Sequence, residues 1–196
     1  MKKILLTLAL GLGLLTANAQ IEKLAGPRIG ITFVGAGPIA DFLHDGFDFD
    51  EDEDGGYGST GNAFTTQYGW QWESRFADGG GKIVGIVEWI VLVGGMEKGK
   101  FLPSATSIIG ATKDNGLEFG VGPNLSLAGV GMVFGIGYNF KSGNLNLPVN
   151  IAFMPGRKME GTRYNFNSDT QINEQTNYDY NTGSRISIMV GFNMSK

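Results

Sequence analysis

Between Gly129 and Phe140 the chain alternates with a period of two, and the two faces this creates are unlike each other. Val130, Met132, Phe134, Ile136, Tyr138 and Phe140 share one face; Gly129, Gly131, Val133, Gly135, Gly137 and Asn139 share the other. Successive side chains of a strand point to opposite faces, so one side is large and apolar and the other mostly tiny or polar. A soluble sheet would bury its large residues and show charged ones to water. No Lys, Glu or Asp offsets the apolar face here. A barrel standing in lipid explains the pattern better, with apolar residues outward and small or polar ones inward.

The signature recurs along the chain. Ile29, Ile31 and Phe33 alternate with Arg28, Gly30 and Thr32. Phe64, Thr66, Tyr68, Trp70, Trp72, Ser74 and Phe76 alternate with Thr65, Gln67, Gly69, Gln71, Glu73 and Arg75. The stretches 117–126, 145–154 and 185–193 repeat it. Two weaker segments, 83–93 and 101–111, complete a count of eight strands, because the turns on either side require them. Eight is the smallest usual size of a bacterial outer-membrane barrel. Connections alternate in length. Short Gly-rich turns fall at 77–81, 113–116 and 141–144, as tight hairpins require. Long loops fall at 37–62 and 156–182, with shorter connections near 94–100 and 126–128. Short turns at one end and longer loops at the other is the layout of such barrels. It puts both chain ends on the short-turn, periplasmic side. Phe76, Tyr138, Phe140 and Phe192 lie at strand ends on that side, where an interfacial girdle is expected.

The first residues supply the route. Lys2 and Lys3 precede an apolar run from Ile4 to Leu15, and Ala17-Asn18-Ala19 stands before Gln20. That is the pattern of a secretory signal peptide cleaved after Ala19; the run is too short to span a bilayer. The expected division is residues 1–19 as signal peptide and 20–196 as barrel. Cysteine is absent, so no disulfide can staple the exported fold, and no thiol is available for lipid attachment at the cleavage site. Eight of the 19 acidic residues lie between Asp41 and Asp54, with no Lys or Arg among them. The acidity is therefore local, and a nucleic-acid partner has no support.

Parity places six charged residues in the lumen: Arg28, Glu73, Arg75, Glu88, Glu118 and Arg185. The interior of an eight-stranded barrel is just wide enough for side chains to fill, and buried charges need partners. The expectation is a closed, salt-bridged core. In the acidic loop, Asp50, Asp52, Asp54 and Gly55 match the first half of an EF-hand-type calcium loop. The twelfth position would be Gly61 instead of the bidentate Glu. A weak calcium site and a solvated acidic loop both remain open; no other cofactor is implied. His44 is the single histidine. A catalytic triad would need it with Asp41 or Asp45 and a distant serine, and no G-x-S-x-G elbow occurs. The expectation is no enzymatic activity. Tyr164-Asn165-Phe166-Asn167 and Tyr178-Asp179-Tyr180-Asn181 alternate as if extending the last hairpin above the membrane; exposed Tyr and Asn also suit a contact surface.

The Ala-Asn-Ala-Gln ending of the leader, the 116–126 stretch, Tyr138-Asn139-Phe140, Leu147-Pro148-Val149-Asn150 and the final Ile186–Asn193 strand resemble small outer-membrane β-barrels of the Bacteroidetes type. That group is similar to the OmpA/OmpX/OmpW-like barrels. The resemblance covers nearly the whole chain after the leader and implies an eight-stranded barrel in the outer membrane of a Gram-negative-type bacterium. It carries no catalytic residues and does not select one activity. One departure is that Phe192 is followed by Asn193-Met194-Ser195-Lys196, whereas many such barrels end on an aromatic residue. The leading expectation is a non-enzymatic integral barrel in contact with lipid and lipopolysaccharide, its long loops meeting a partner, a surface or a cation. The alternative is a narrow barrel that passes small apolar solutes.

Overall fold

The computed structural model describes residues 23–45, 60–78, 82–167 and 172–194. The expected signal peptide, residues 1–19, lies outside the described residues. In chain order the elements are β1 (Lys23–Val34), α1 (Pro38–Asp45), β2 (Ala63–Asp78), β3 (Ile83–Gly94), a 3-10 turn (Met96–Lys98), β4 (Leu102–Lys113), β5 (Leu117–Ser126), β6 (Gly129–Ser142), β7 (Leu145–Met154), β8 (Lys158–Asn167), β9 (Ile172–Asn181), β10 (Arg185–Gly191) and β11 (Asn193–Met194). Each strand from β1 to β7 pairs antiparallel with the next, and β10 pairs with both β7 and β1. Since β11 continues β10 in the same register along β7, the two form one strand. The result is a closed eight-stranded antiparallel barrel, as the alternation requires.

The register fixes the barrel's shape. From Phe64 the paired residues run through Phe33, Ile186, Phe153, Phe134, Val121, Ile109 and Val87, and return to β2 at Ser74, ten residues beyond the start. At about 3.3 Å per residue and about 4.8 Å between strands, that stagger tilts the strands by about 40°. A ten-residue strand such as β5 then rises about 25 Å along the barrel axis, the height of a lipid-facing apolar band.

Every parity assignment of a charged residue holds. On β3, Glu88 is 7% exposed and its neighbour Trp89 58%. Phe134, Ile136 and Ile188 point outward, while Arg28, Glu73 and Glu118 are buried inside. Inward glycines face large inward residues of the adjacent strand. A side chain at Gly30 would strike Met189, one at Gly120 would strike Ile108, one at Gly131 would strike Met154, and one at Gly191 would strike Arg28. Small against large is how a narrow barrel accommodates its inner layer.

Prolines mark where the ladder weakens. The β4–β5 pairing omits Gly122 and Pro123. The break between β10 and β11 falls where continuation of the register would set Gly191 against Pro148. Proline has no N–H to give a ladder. A bulge between Arg75 and Ala77 shifts the β2–β3 register at the short-turn end.

At the opposite end the loop after β1 carries α1, a helix where the alternation predicts only a long loop. Eight residues are too few for a stable isolated helix, so its packing holds it. Ile39, Ala40, Phe42 and Leu43 bury against Val34, Ala63 and Leu102 at the barrel mouth. Asn62 ties the loop down: its Oδ1 accepts from the Ala36 N–H at 2.9 Å, and its carbonyl lies 3.1 Å from His44 Nε2. The β8–β9 hairpin pairs from Lys158↔Asn181 to Asn167↔Ile172 in a sheet of its own. This is the strand extension expected from its Tyr/Asn alternation.

Candidate functional site in the barrel lumen

Two zones divide the lumen. The lower zone, toward the short turns, is polar. Arg28 Nε donates to Gln71 Oε1 at 2.8 Å, and Arg28 Nη1 donates to Asn193 Oδ1 and to the Pro27 carbonyl, both at 3.0 Å. Gln71 Nε2 donates in turn to Glu88 Oε1. Arg75 Nε stands 3.6 Å from Glu73 Oε1, and the Thr112 hydroxyl reaches Glu118 at 3.4 Å. Five of the six predicted lumen charges meet here. The sixth, Arg185, begins β10 at the loop end and donates to Ser126 Oγ at 3.1 Å.

Arg75 and Glu73 form an ion pair of the kind expected for this core, and the remaining charges are joined by amides and hydroxyls. Arg28 reaches Glu88 through the Gln71 amide, which accepts from the guanidinium and donates to the carboxylate. Cross-strand geometry is the reason. Gln71 lies on β2, between β1 with Arg28 and β3 with Glu88, so the middle strand must bridge them. Alternation located the charges; it gave no signal that Gln71 and Asn193 connect them.

The upper zone is largely aliphatic and not completely filled. A cavity of about 130 Å³ is lined by Ile90, Leu92, Ile108, Val133, Met154 and Met189, among others. Its floor includes Arg28, Gln71, Glu88 and Glu118; Val34, Ile39 and Leu102 also line it, and these three belong to the cluster that seats α1. Two small polar clusters stand in its wall: Thr32 with Gln67 and Ser187, at 2.6 and 2.7 Å, and Asn124 with Thr106, at 2.8 Å. The expectation of a lumen just filled by side chains is therefore corrected. Inward glycines such as Gly120, Gly135 and Gly137 contribute no volume, and the cavity persists beside them.

Other residues singled out from the sequence divide as follows. Asp50, Asp52 and Asp54 lie outside the described residues, while Gly61, the failed twelfth position, has φ 86°. No group of three or more His, Cys, Asp or Glu suited to a metal occurs among the described residues. His44 and Asp41 both serve the loop: His44 faces the Asn62 carbonyl, and Asp41 accepts from the Thr60 hydroxyl. Helix α1 did have a sequence signal, with apolar Ile39, Ala40, Phe42 and Leu43 behind Pro38. Proline suits a helix start, and 39/43 spacing places residues on one face.

No protein-family model matches the sequence, and no curated protein does either. Among solved structures, the chain is similar to Ail, the attachment invasion locus protein of Yersinia pestis, solved in complex with the heparin analogue sucrose octasulfate. Identity is 12%, coverage is 88% of this chain and 98% of Ail, and the TM-score is 0.24. The barrel assignment accordingly rests on the strand register of this chain itself. Among the described residues no helix is long and apolar enough to cross a membrane, and a barrel crosses with strands instead.

Proposed function

We propose that this chain is an integral outer-membrane β-barrel protein of a Gram-negative-type bacterium. It is not an enzyme, its termini are periplasmic, and its long loops face outward to meet a partner or surface. One observation carries the reading: a closed barrel whose outer wall is a continuous apolar belt and whose inner wall holds its charges. In water that arrangement would expose far more contiguous apolar surface than a soluble monomer tolerates. In lipid it is the favourable arrangement. The loop end offers the β8–β9 hairpin with exposed Tyr164, and Tyr is enriched in recognition surfaces. The contacting molecules are bilayer lipid and lipopolysaccharide along the belt and a protein or surface partner at the loops. The bonded positions of His44 and Asp41 support a non-catalytic role for them.

Membrane fractionation tests location: the protein should stay in the outer-membrane pellet after alkaline and urea extraction and migrate faster unheated than boiled. Release into the soluble fraction would end the proposal. A weak calcium site at Asp50, Asp52 and Asp54 remains part of it, and titration showing no binding at millimolar calcium would remove that part.

The alternative, passage of small apolar solutes, draws support from the aliphatic upper lumen. Against it stand the polar layer below and α1 above, both of which would have to move. Steady single-channel openings from the purified barrel would favour it.

A further inference from the structure

We infer that the upper lumen is a binding chamber for a small, uncharged, ring-sized molecule carrying one hydroxyl or similar polar group. The inference concerns the lumen alone and stands whether or not the loops meet a partner.

Size comes first. The cavity of about 130 Å³ is close to the engineered cavity of about 150 Å³ in another protein that stays dry and takes up benzene. Wall chemistry comes second. Leu92, Ile108, Val133 and Met189 line it and are themselves buried, so a bound apolar ring would gain dispersion contacts that a void forfeits. The third observation is polar. Arg28 Nη2 and Asn124 Oδ1 are buried and have no hydrogen-bond partner, although the rest of each side chain is bonded. Both residues are more than nine-tenths buried and line the cavity. An unsatisfied buried donor or acceptor costs about 1–3 kcal/mol, and a small side-chain rotation that turns either atom toward the cavity would let a ligand hydroxyl accept from the guanidinium or donate to the amide oxygen. Charge comes last. The lining is mostly aliphatic, and moving a carboxylate ligand from water into such a wall is costly.

Gly135 supplies a specific probe. It lines the cavity, and a Cβ built there would meet nothing closer than the Gly120 carbonyl and Ile108 Cδ1, both at 3.9 Å. Gly135→Leu should fill the chamber without striking backbone, and Gly135→Val is the smaller filler if Leu impairs folding. The purified full-length barrel in detergent is titrated with phenol while methyl resonances are followed by NMR. The inference expects saturable shifts at Ile108, Val133 and Met189, at least tenfold weaker binding in the filled variant, and no saturable shift with benzoate. Asn124→Leu should weaken phenol while leaving benzene unchanged. Shifts that stay linear, or that are equal in the wild type and the filled variant, would reveal partition into detergent and overturn the chamber. Equal saturation by phenol and benzoate would overturn its selectivity for an uncharged ligand.

Discussion

Arg28 shows how far one buried side chain depends on its neighbours. Its guanidinium lies across Gly191, where an added Cβ would sit 2.6 Å from Arg28 Cδ and from the Pro27 carbonyl. Gly191→Ala should therefore destabilise the barrel by about 1–3 kcal/mol, as overpacking typically does, and lower its urea midpoint in detergent. An unchanged midpoint would mean that Arg28 can vacate that space. Glu97 gives a prediction in pH. It accepts from the Thr66 N–H at 3.0 Å and from the Thr66 hydroxyl at 2.5 Å. Partial burial alone would raise its pKa, but these hydrogen bonds to the carboxylate outweigh it and hold the group below its ordinary range. A depressed folded value means the contact is fully present above the ordinary carboxylate pKa and is lost as pH falls through the lower folded value. The Thr66 amide resonance should move in that acidic window, and in Glu97→Gln it should not.

At the scale of elements, α1 and the β8–β9 hairpin occupy the same end by different means. The hairpin is held by its own ladder. The helix is held by apolar contact, with Leu43 almost completely buried against the barrel mouth. Leu43→Ala should cost about 2–5 kcal/mol at that contact, and the loss should be local. The segment around α1 should become protease-sensitive while the folded barrel still migrates fast without heating. Loss of the fast-migrating form would show that the helix belongs to the cooperative barrel core. The alternation indicated the hairpin because neighbouring residues on paired strands obey one period. It passed over α1, since eight residues give little more than two turns in which a 3.6-residue period can show.

For the whole molecule, sidedness and stagger are separate constraints. Sidedness sets the surroundings. Phe134 is half exposed near the middle of the outer wall, and Phe134→Arg should destabilise the inserted barrel by about 2–4 kcal/mol, the cost of a cationic side chain near the bilayer midplane. Refolding into vesicles measures it; an unchanged yield would place that face away from lipid. Stagger sets the interior, because ten residues of offset around eight strands decide which inward side chains share a level. The strands, their inward and outward faces and the alternation of short turns with long loops are all legible in the amino-acid order. The strands and their faces follow from a period of two acting within one segment, and the turns from the spacing of Gly-rich stretches between segments. The tertiary structure alone decided that Gln71 links Arg28 to Glu88, that α1 covers the mouth, and that an aliphatic cavity remains between helix and charges. Those features arise between strands distant in the chain, where register and tilt, and not local period, place the atoms.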